Sequence, residues 1–305
     1  MQRNFTIIIL TLLIISCGSD DDNTQQPDGS LYTVSTLVRN LNGSGDLAVD
    51  DNGNIYVADF GNKLNNADGT IVTKITPDGQ QSVFATGLSG ASGNEFDAEG
   101  NLIQSNIKGN TLSRISPDGT VETIVSTNLS SPVGVAIDDQ GNIFVCNCAG
   151  GSITKVTPDG ETSIFSNSTL FSCPNGLTID QQNNLYAANF NNGNVIKVST
   201  SGEASLFATL PGGSNGHIAY NNGSLYVVAR GPNQIYKLSL DGNFTLIAGN
   251  STKGKTDGFS LQAEFSDPNG IAFSPDGKKI YINDKVSTTA IDLNPVDLRV
   301  LDLLE

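Results

Sequence analysis

The 305-residue chain carries few side chains suited to covalent or acid–base chemistry: one histidine and four cysteines, with no tryptophan. It has no nucleophile turn, no His/Cys metal spacing and no phosphate-cradling glycine loop. What it does carry is amides and carboxylates at recurring places. Asn175, Asn215 and Asn269 each precede a glycine, and Asp59 and Asp284 close short apolar runs. Hard cations take several oxygen ligands, and carboxylate charge sets the affinity. All five are oxygen donors of the kind such a cation takes. Their alternative role is local, since an Asn or Asp at a strand end hydrogen-bonds its own turn. His217 follows Asn215 by two residues and would share its face in a regular strand, where it could act as a base. Arg230 is placed to bind an anion or to pair with an aspartate. Asn147 and Asn189 end runs like that of Asp59 and are further candidate ligand contacts.

A repeat positions these residues. Gly134-Val-Ala-Ile-Asp138 is followed by Gly141-Asn-Ile-Phe-Val-Cys-Asn147, Ile153-Thr-Lys-Val156, Thr157-Pro-Asp-Gly160 and Thr162-Ser-Ile-Phe165. The same order starts at Asp46, Gly93, Gly176, Gly216 and Gly270, so the six starts are 47, 41, 42, 40 and 54 residues apart. Periods of this size, with short strands in each unit, mark a β-propeller. Each unit holds strands a to d. Asp-x-Gly-Asn turns join a to b, and Thr-Pro-Asp-Gly or Ser-Pro-Asp-Gly turns join c to d, with Pro presetting φ and Gly supplying positive φ. One such sheet cannot stand alone, and six around an axis bury both faces of each. The fold expected is all-β: a six-bladed propeller of four-stranded antiparallel blades over residues 31–305. Tyr32–Val38 resembles an outer strand and Leu298–Leu303 a strand c, so the N-terminal strand should close the last blade. The competing alignment makes Thr289–Leu293 strand c and the C-terminus strand d. At the loop face, the residue before each repeat start is Gly45, Ser92, Val133, Asn175, Asn215 or Asn269. The ends of the b strands are Asp59, Asn106, Asn147, Asn189, Ala229 and Asp284.

The run from Lys255-Thr-Asp-Gly-Phe-Ser through Asp267-Pro-Asn-Gly-Ile-Ala-Phe273 resembles the signature of NHL-repeat propellers, and Gly53-Asn-Ile-Tyr-Val-Ala-Asp59 matches their strand-b phrase. Pro174-Asn-Gly-Leu177 and Pro268-Asn-Gly-Ile271 resemble the regucalcin/gluconolactonase family. That resemblance implies a divalent metal, calcium or zinc, at the axial pocket, polarising a lactone and a water, with Asn175, Asn215, Asn269, Asp59 and Asp284 as its candidate ligands. Asn175 and Asn215 match its ligand pattern, whereas Gly45 stands where the family has Glu. Streptogramin-lyase-like propellers use an axial His, which gives His217 a second parallel. Two functions follow: a binding module for a small molecule, glycan or protein, or a metal-dependent lactonase-type hydrolase. A carboxylate reaching the axis beside Asn175 and Asn215 favours the enzyme, and an amide-only ring favours the binder.

Charge and targeting bound the setting. The formal net charge is −15 with pI near 4.3, and no basic stripe exists to displace counterions from nucleic acid. Arg3 and the apolar stretch Ile7–Ile15 form a signal segment too short to span a bilayer. It ends in Ile14-Ile15-Ser16-Cys17, which resembles a lipobox with Cys17 as the acylated residue. Residues 1–16 are then a signal peptide and 17–30 a flexible acidic tether. The run Asp20-Asp21-Asp22 either solvates this linker or resembles the export signal of surface lipoproteins in Bacteroidetes-type bacteria. The expected setting is the cell envelope, with a lipid anchor in the outer membrane, as a monomer. In that oxidising compartment Cys148, in a loop after strand b, and Cys173, just before the next strand a, are the expected disulfide. Cys146 is the lesser partner for Cys173, or a core residue.

Overall fold

The structure is a computed structural model that describes residues 29–287 and 289–304; the signal segment and Cys17 lie outside the described residues. Each repeat becomes one antiparallel sheet. Blade 1 is Leu47–Val49, Ile55–Ala58, Ile71–Ile75 and Gln81–Thr86; blade 2 is Ala91–Phe96, Leu102–Asn106, Thr111–Ile115 and Val121–Val125. Blade 3 is Pro132–Ile137, Ile143–Asn147, Ser152–Val156 and Thr162–Asn167; blade 4 is Pro174–Ile179, Leu185–Asn189, Asn194–Val198 and Ala204–Thr209. Blade 5 is Asn215–Asn221, Ser224–Ala229, Gln234–Ser239 and Phe244–Ala248. The a strands pack on one another in a closed ring of six.

The turns explain why the chain breaks where it does. In blade 3, Asp138 Oδ1 accepts the Gln140 and Asn142 amides at 3.0 and 2.8 Å, and Asn142 Nδ2 donates back to Asp138 Oδ2 at 2.8 Å. The same clasp recurs at Asp50, Asp97 and Asp180. A short polar side chain thereby supplies the hydrogen bonds that the ladder cannot make at the bend. In the c–d turn, Thr76 Oγ1 donates to Asp78 and accepts from Gln80 N, while Gly79 takes φ near 86°.

Burial follows strand position. Every residue of the b strands Ile55–Ala58, Leu102–Asn106, Ile143–Asn147 and Leu185–Asn189 is buried, because both faces meet neighbouring blades. The d strands are largely exposed. Between them a strand-b aromatic packs edge-on against a strand-d phenylalanine: Tyr56 on Phe84, Phe144 on Phe165 and Tyr186 on Phe207, with ring centres 4.7, 4.9 and 5.0 Å apart.

Blade 6 is built from both ends of the described chain. Ile271–Phe273, Lys279–Lys285 and Val296–Leu303 are its strands a to c, and Tyr32–Leu41 is its strand d. The competing alignment of residues 289–293 as strand c does not hold. One strand was not expected: Gly258–Phe259 pairs outside the N-terminal strand at Thr33 and Val34 and covers part of its edge.

Candidate functional site

Two rings of residues surround the loop-face end of the axis. They enclose a pocket of about 440 Å³. One ring enters the a strands and contributes Ser92, Val133, Asn175 and Asn269 to the wall; the other follows the b strands by one residue and contributes Phe60, Ile107, Cys148, Phe190 and Arg230. Leu64 and Leu293 also line it, and Leu64, 43% exposed, donates its N–H to Ile291 O at 3.0 Å. Among the described residues no Asp or Glu lines this pocket.

The strand-end residues Asn147, Asn189, Asp59 and Asp284 do not line it, which corrects the expectation from sequence. Their side chains hold loops. Asn147 Oδ1 accepts the Ser130 amide at 2.9 Å and its Nδ2 donates to Thr154 Oγ1 at 2.8 Å. Asn189 accepts from Ser172 N at 3.2 Å and donates to Leu170 O at 2.9 Å. Asp284 does the same work in blade 6, accepting Ser266 N at 2.6 Å, with Arg299 Nη1 on its other oxygen at 3.1 Å. Asp59 accepts Asn294 Nδ2 at 2.7 Å; burial pushes its carboxyl above the ordinary value, and Asn294 and the Gly61 amide restrain the rise. The reason is alternation. A strand-b end turned into the blade leaves the next residue to face the pocket.

Asn215 is displaced for a different reason. It pairs with Ala229, the register that Pro174 has with Asn189 and Pro132 with Asn147. Asn215 thus takes the proline's place, Gly216 the wall position and His217 the place of the axial glycine. It is fully buried, and its Nδ2 donates to Asn194 O at 3.2 Å. Of the three expected Asn ligands, only Asn175 and Asn269 face the pocket.

Four of the six axial positions are glycine: Gly93, Gly134, Gly176 and Gly270. A Cβ on Gly176 would lie 2.6 Å from His217 Cα, and one on Gly134 2.5 Å from Leu177 N, so only glycine lets neighbouring a strands close this far. Asp46 and His217 fill the other two positions, and each donates its backbone N–H across to the next wall residue at 2.8 Å, to Ser92 O and Asn269 O respectively. His217 Nδ1 lies 2.7 Å from Asp46 Oδ2. The ring is turned so that Nδ1–H misses that oxygen, and neither ring nitrogen has a hydrogen-bond partner among the described residues. His217 is 1% exposed and is not part of the pocket wall. Glu95, on the innermost strand of blade 2, is wetted yet walled by protein; desolvation pushes its carboxyl up to about 7, with Asp46 adding to the rise and the Phe96 amide opposing it.

The donor set does not fit a divalent cation. The wall offers amides and hydroxyls, Asp59 and Asp284 point elsewhere, and among the described residues no cluster of three or more His, Cys, Asp or Glu could hold a metal. Cys148 and Cys173 are bonded as a disulfide and form part of the pocket wall between blades 3 and 4. Cys146 is free and buried in the core, and burial pushes its thiol up. Sequence reasoning missed Phe60, Ile107 and Phe190. The alternation of each b strand, counted one residue past its polar end, was the signal that would have found them.

The family model described as the virginiamycin B lyase family matches residues 63–290, more than half of the chain. No curated protein matches. Among solved structures, a catalytically inactive histidine-to-alanine variant of virginiamycin B lyase from Staphylococcus aureus, with quinupristin, is 20% identical with a TM-score of 0.60, over 85% of this chain and 80% of that one. A gluconolactonase from Xanthomonas campestris is 17% identical with a TM-score of 0.70, over 90% and 91%. An auxiliary nutrient binding protein from Bacteroides ovatus is 14% identical with a TM-score of 0.71, over 90% and 78%. At these identities the likeness shows the fold alone.

Proposed function

Because the chain belongs to the virginiamycin B lyase family, we propose that it uses that family's propeller to bind a small organic molecule in the loop-face pocket, without turning it over. The observation that carries this reading is the pocket itself: apolar walls of Phe60, Ile107 and Phe190, a few polar groups, and, among the described residues, no carboxylate. Ligand sites are typically apolar concavities of about 300–1,000 Å³ with a small number of placed polar groups. The pocket's volume and lining suit a small molecule better than a glycan, which would need many more hydrogen-bonding partners. Elimination or lactone hydrolysis would need a base or a metal-activated water within reach of the ligand, and the single histidine is 1% exposed. A propeller of the same fold described as a nutrient binding protein is a parallel for this use.

The test exploits Ala149, an exposed loop residue on the pocket wall. Compounds found by ligand-observed NMR on the wild type should lose about ten-fold or more in affinity, 1.4 kcal/mol, in Ala149→Trp, which plugs the pocket. Unchanged binding in that variant would sink the reading. The setting proposed is the cell envelope, through acylation of Cys17. Cys17→Ala should then move the protein from the membrane to the soluble fraction; a variant that stays membrane-bound, with no acyl group on the wild type, removes the anchor.

A further inference from the structure

We propose that Arg230 and Asn175 form an anion seat in this pocket, and that the ligand is a low-molecular-weight monocarboxylate with an apolar or aromatic body. The proposal rests on the pocket reading above and adds the ligand's charge. Arg230 follows strand b of blade 5, where blades 1, 2 and 4 carry Phe60, Ile107 and Phe190, so among the described residues it is the one cation in an apolar ring. Its guanidinium stacks over Phe190 at 5.6 Å, which orients the flat fork without using its N–H donors. Among the described residues it donates one long hydrogen bond, from Nη1 to Asn269 Oδ1 at 3.4 Å.

The neighbouring carboxylates are already taken. Asp267 is bridged by Lys253 Nζ and Lys285 Nζ at 2.8 Å each, and Asp284 by Arg299 at 3.1 Å. Burial pulls the Arg230 guanidinium below its ordinary value, while Asp267 and Asp284 support it from a distance. A desolvated guanidinium with most donors unused is a group that gains strongly from a carboxylate, which it can grip bidentately. The second donor comes from the next blade. Asn175 lines the same pocket, and its Nδ2, turned away from the pocket space, has no partner among the described residues, so the amide can turn this donor to a ligand without breaking a hydrogen bond. One cation and one amide match a single carboxylate better than a phosphate dianion, and the phenylalanine and isoleucine walls suit the rest of the molecule. A neutral ligand would cover Arg230 without pairing it, which costs binding free energy.

The experiment compares matched acids and alcohols by ligand-observed NMR and calorimetry on the full chain: 4-phenylbutyrate with 4-phenylbutan-1-ol, indole-3-propionate with its alcohol, and octanoate with octan-1-ol. The expected result is that, in at least one pair, the acid binds about ten-fold or more tightly than the alcohol. Arg230→Gln should abolish that preference while leaving alcohol binding in place, and Asn175→Ala should reduce it. Equal affinity of acid and alcohol in every pair would overturn the anion seat and leave the pocket reading standing. Binding of neither would overturn both. The acid–alcohol comparison on the wild type decides the question even if Arg230→Gln does not fold.

Discussion

Replacing Arg299 with alanine is expected to remove about 3–5 kcal/mol of folding stability, among the largest effects of any single substitution in this chain. The side chain is fully buried in blade 6. Nη1 donates to Asp284 Oδ2 and to Glu264 O at 3.1 and 3.0 Å, and Nη2 to Asp257 Oδ1 and Thr256 O at 2.7 and 3.1 Å. The guanidinium also sits 5.0 Å from the Phe265 ring. It therefore ties strand c of the closing blade to the long 252–266 connection and to the strand-b end. Alanine leaves Asp284 buried and uncompensated, with two carbonyls lacking donors. The pH dependence follows from the sign of the Asp284 shift. Burial already raises this carboxyl above its ordinary value, against the Ser266 amide and Arg299, and loss of Arg299 raises it further. A raised folded-state value means stability is greatest below the unfolded value and falls as pH rises through the folded one. The Arg299→Ala deficit should thus be larger at pH 8 than at pH 5, measured by urea unfolding. Adding Asp284→Asn, which retains an acceptor for Ser266 N, should recover part of it. A deficit under about 1 kcal/mol at both pH values, in the range of an exposed ion pair, would show the cluster to be dispensable.

The same blade shows how far the sequence could be read. The repeat, its turns and the role of Tyr32–Leu41 as the closing strand were legible because they depend on local chemistry: Asp and Asn clasps, Pro-Asp-Gly turns, and alternation of apolar residues. The site was harder to read, because it depends on where a strand turns away from its ladder. Asp59, Asn147, Asn189 and Asp284 end their strands in polar residues, and polarity suggested an open pocket. In the structure those groups are buried because loops need them, and the pocket faces the apolar residues one place later. Blade 5 defeated the alignment for a related reason. Asn215-Gly216 looks like Asn175-Gly176, yet Asn215 stands opposite its strand-b end as Pro174 and Pro132 do in theirs, so the Asn-Gly pair sits one place earlier in an otherwise matching register. A one-residue slip reverses which face each side chain takes, and it puts His217 where four of the other five blades have glycine. Arg230, read from the sequence as the end of its strand b, lies one residue past Ala229 and so lines the pocket with Phe60, Ile107 and Phe190.

Removing residues 1–41 should abolish the cooperative fold, whereas joining the two ends of blade 6 should preserve it. Tyr32–Leu41 runs antiparallel to Val296–Leu303 from Tyr32 opposite Leu303 to Leu41 opposite Val296. Tyr32, Val34, Val38 and Leu41 are all buried. Each large apolar side chain lost from a core costs about 2–5 kcal/mol, so losing the strand exceeds the roughly 5–15 kcal/mol that holds a domain together. It also bares the edge of Val296–Leu303, an invitation to aggregation. The contribution comes from pairing, not from where the chain happens to start. Leu304 N donates to Leu31 O at 2.9 Å, so the two strands already lie as the c and d strands of a hairpin. A circular permutant that links residue 304 to residue 30 through a short Gly-rich turn, with new ends opened between Asp78 and Gly79, moves the break to blade 1. Closing that turn covalently shortens the loop the folding chain must close. The permutant is expected to unfold cooperatively with a midpoint close to the parent's, and the truncation to give aggregate or no transition in thermal unfolding followed by circular dichroism. A truncated chain that melts cooperatively near the parent's temperature would mean that five complete blades and three strands suffice, and the closing role of Tyr32–Leu41 would be lost.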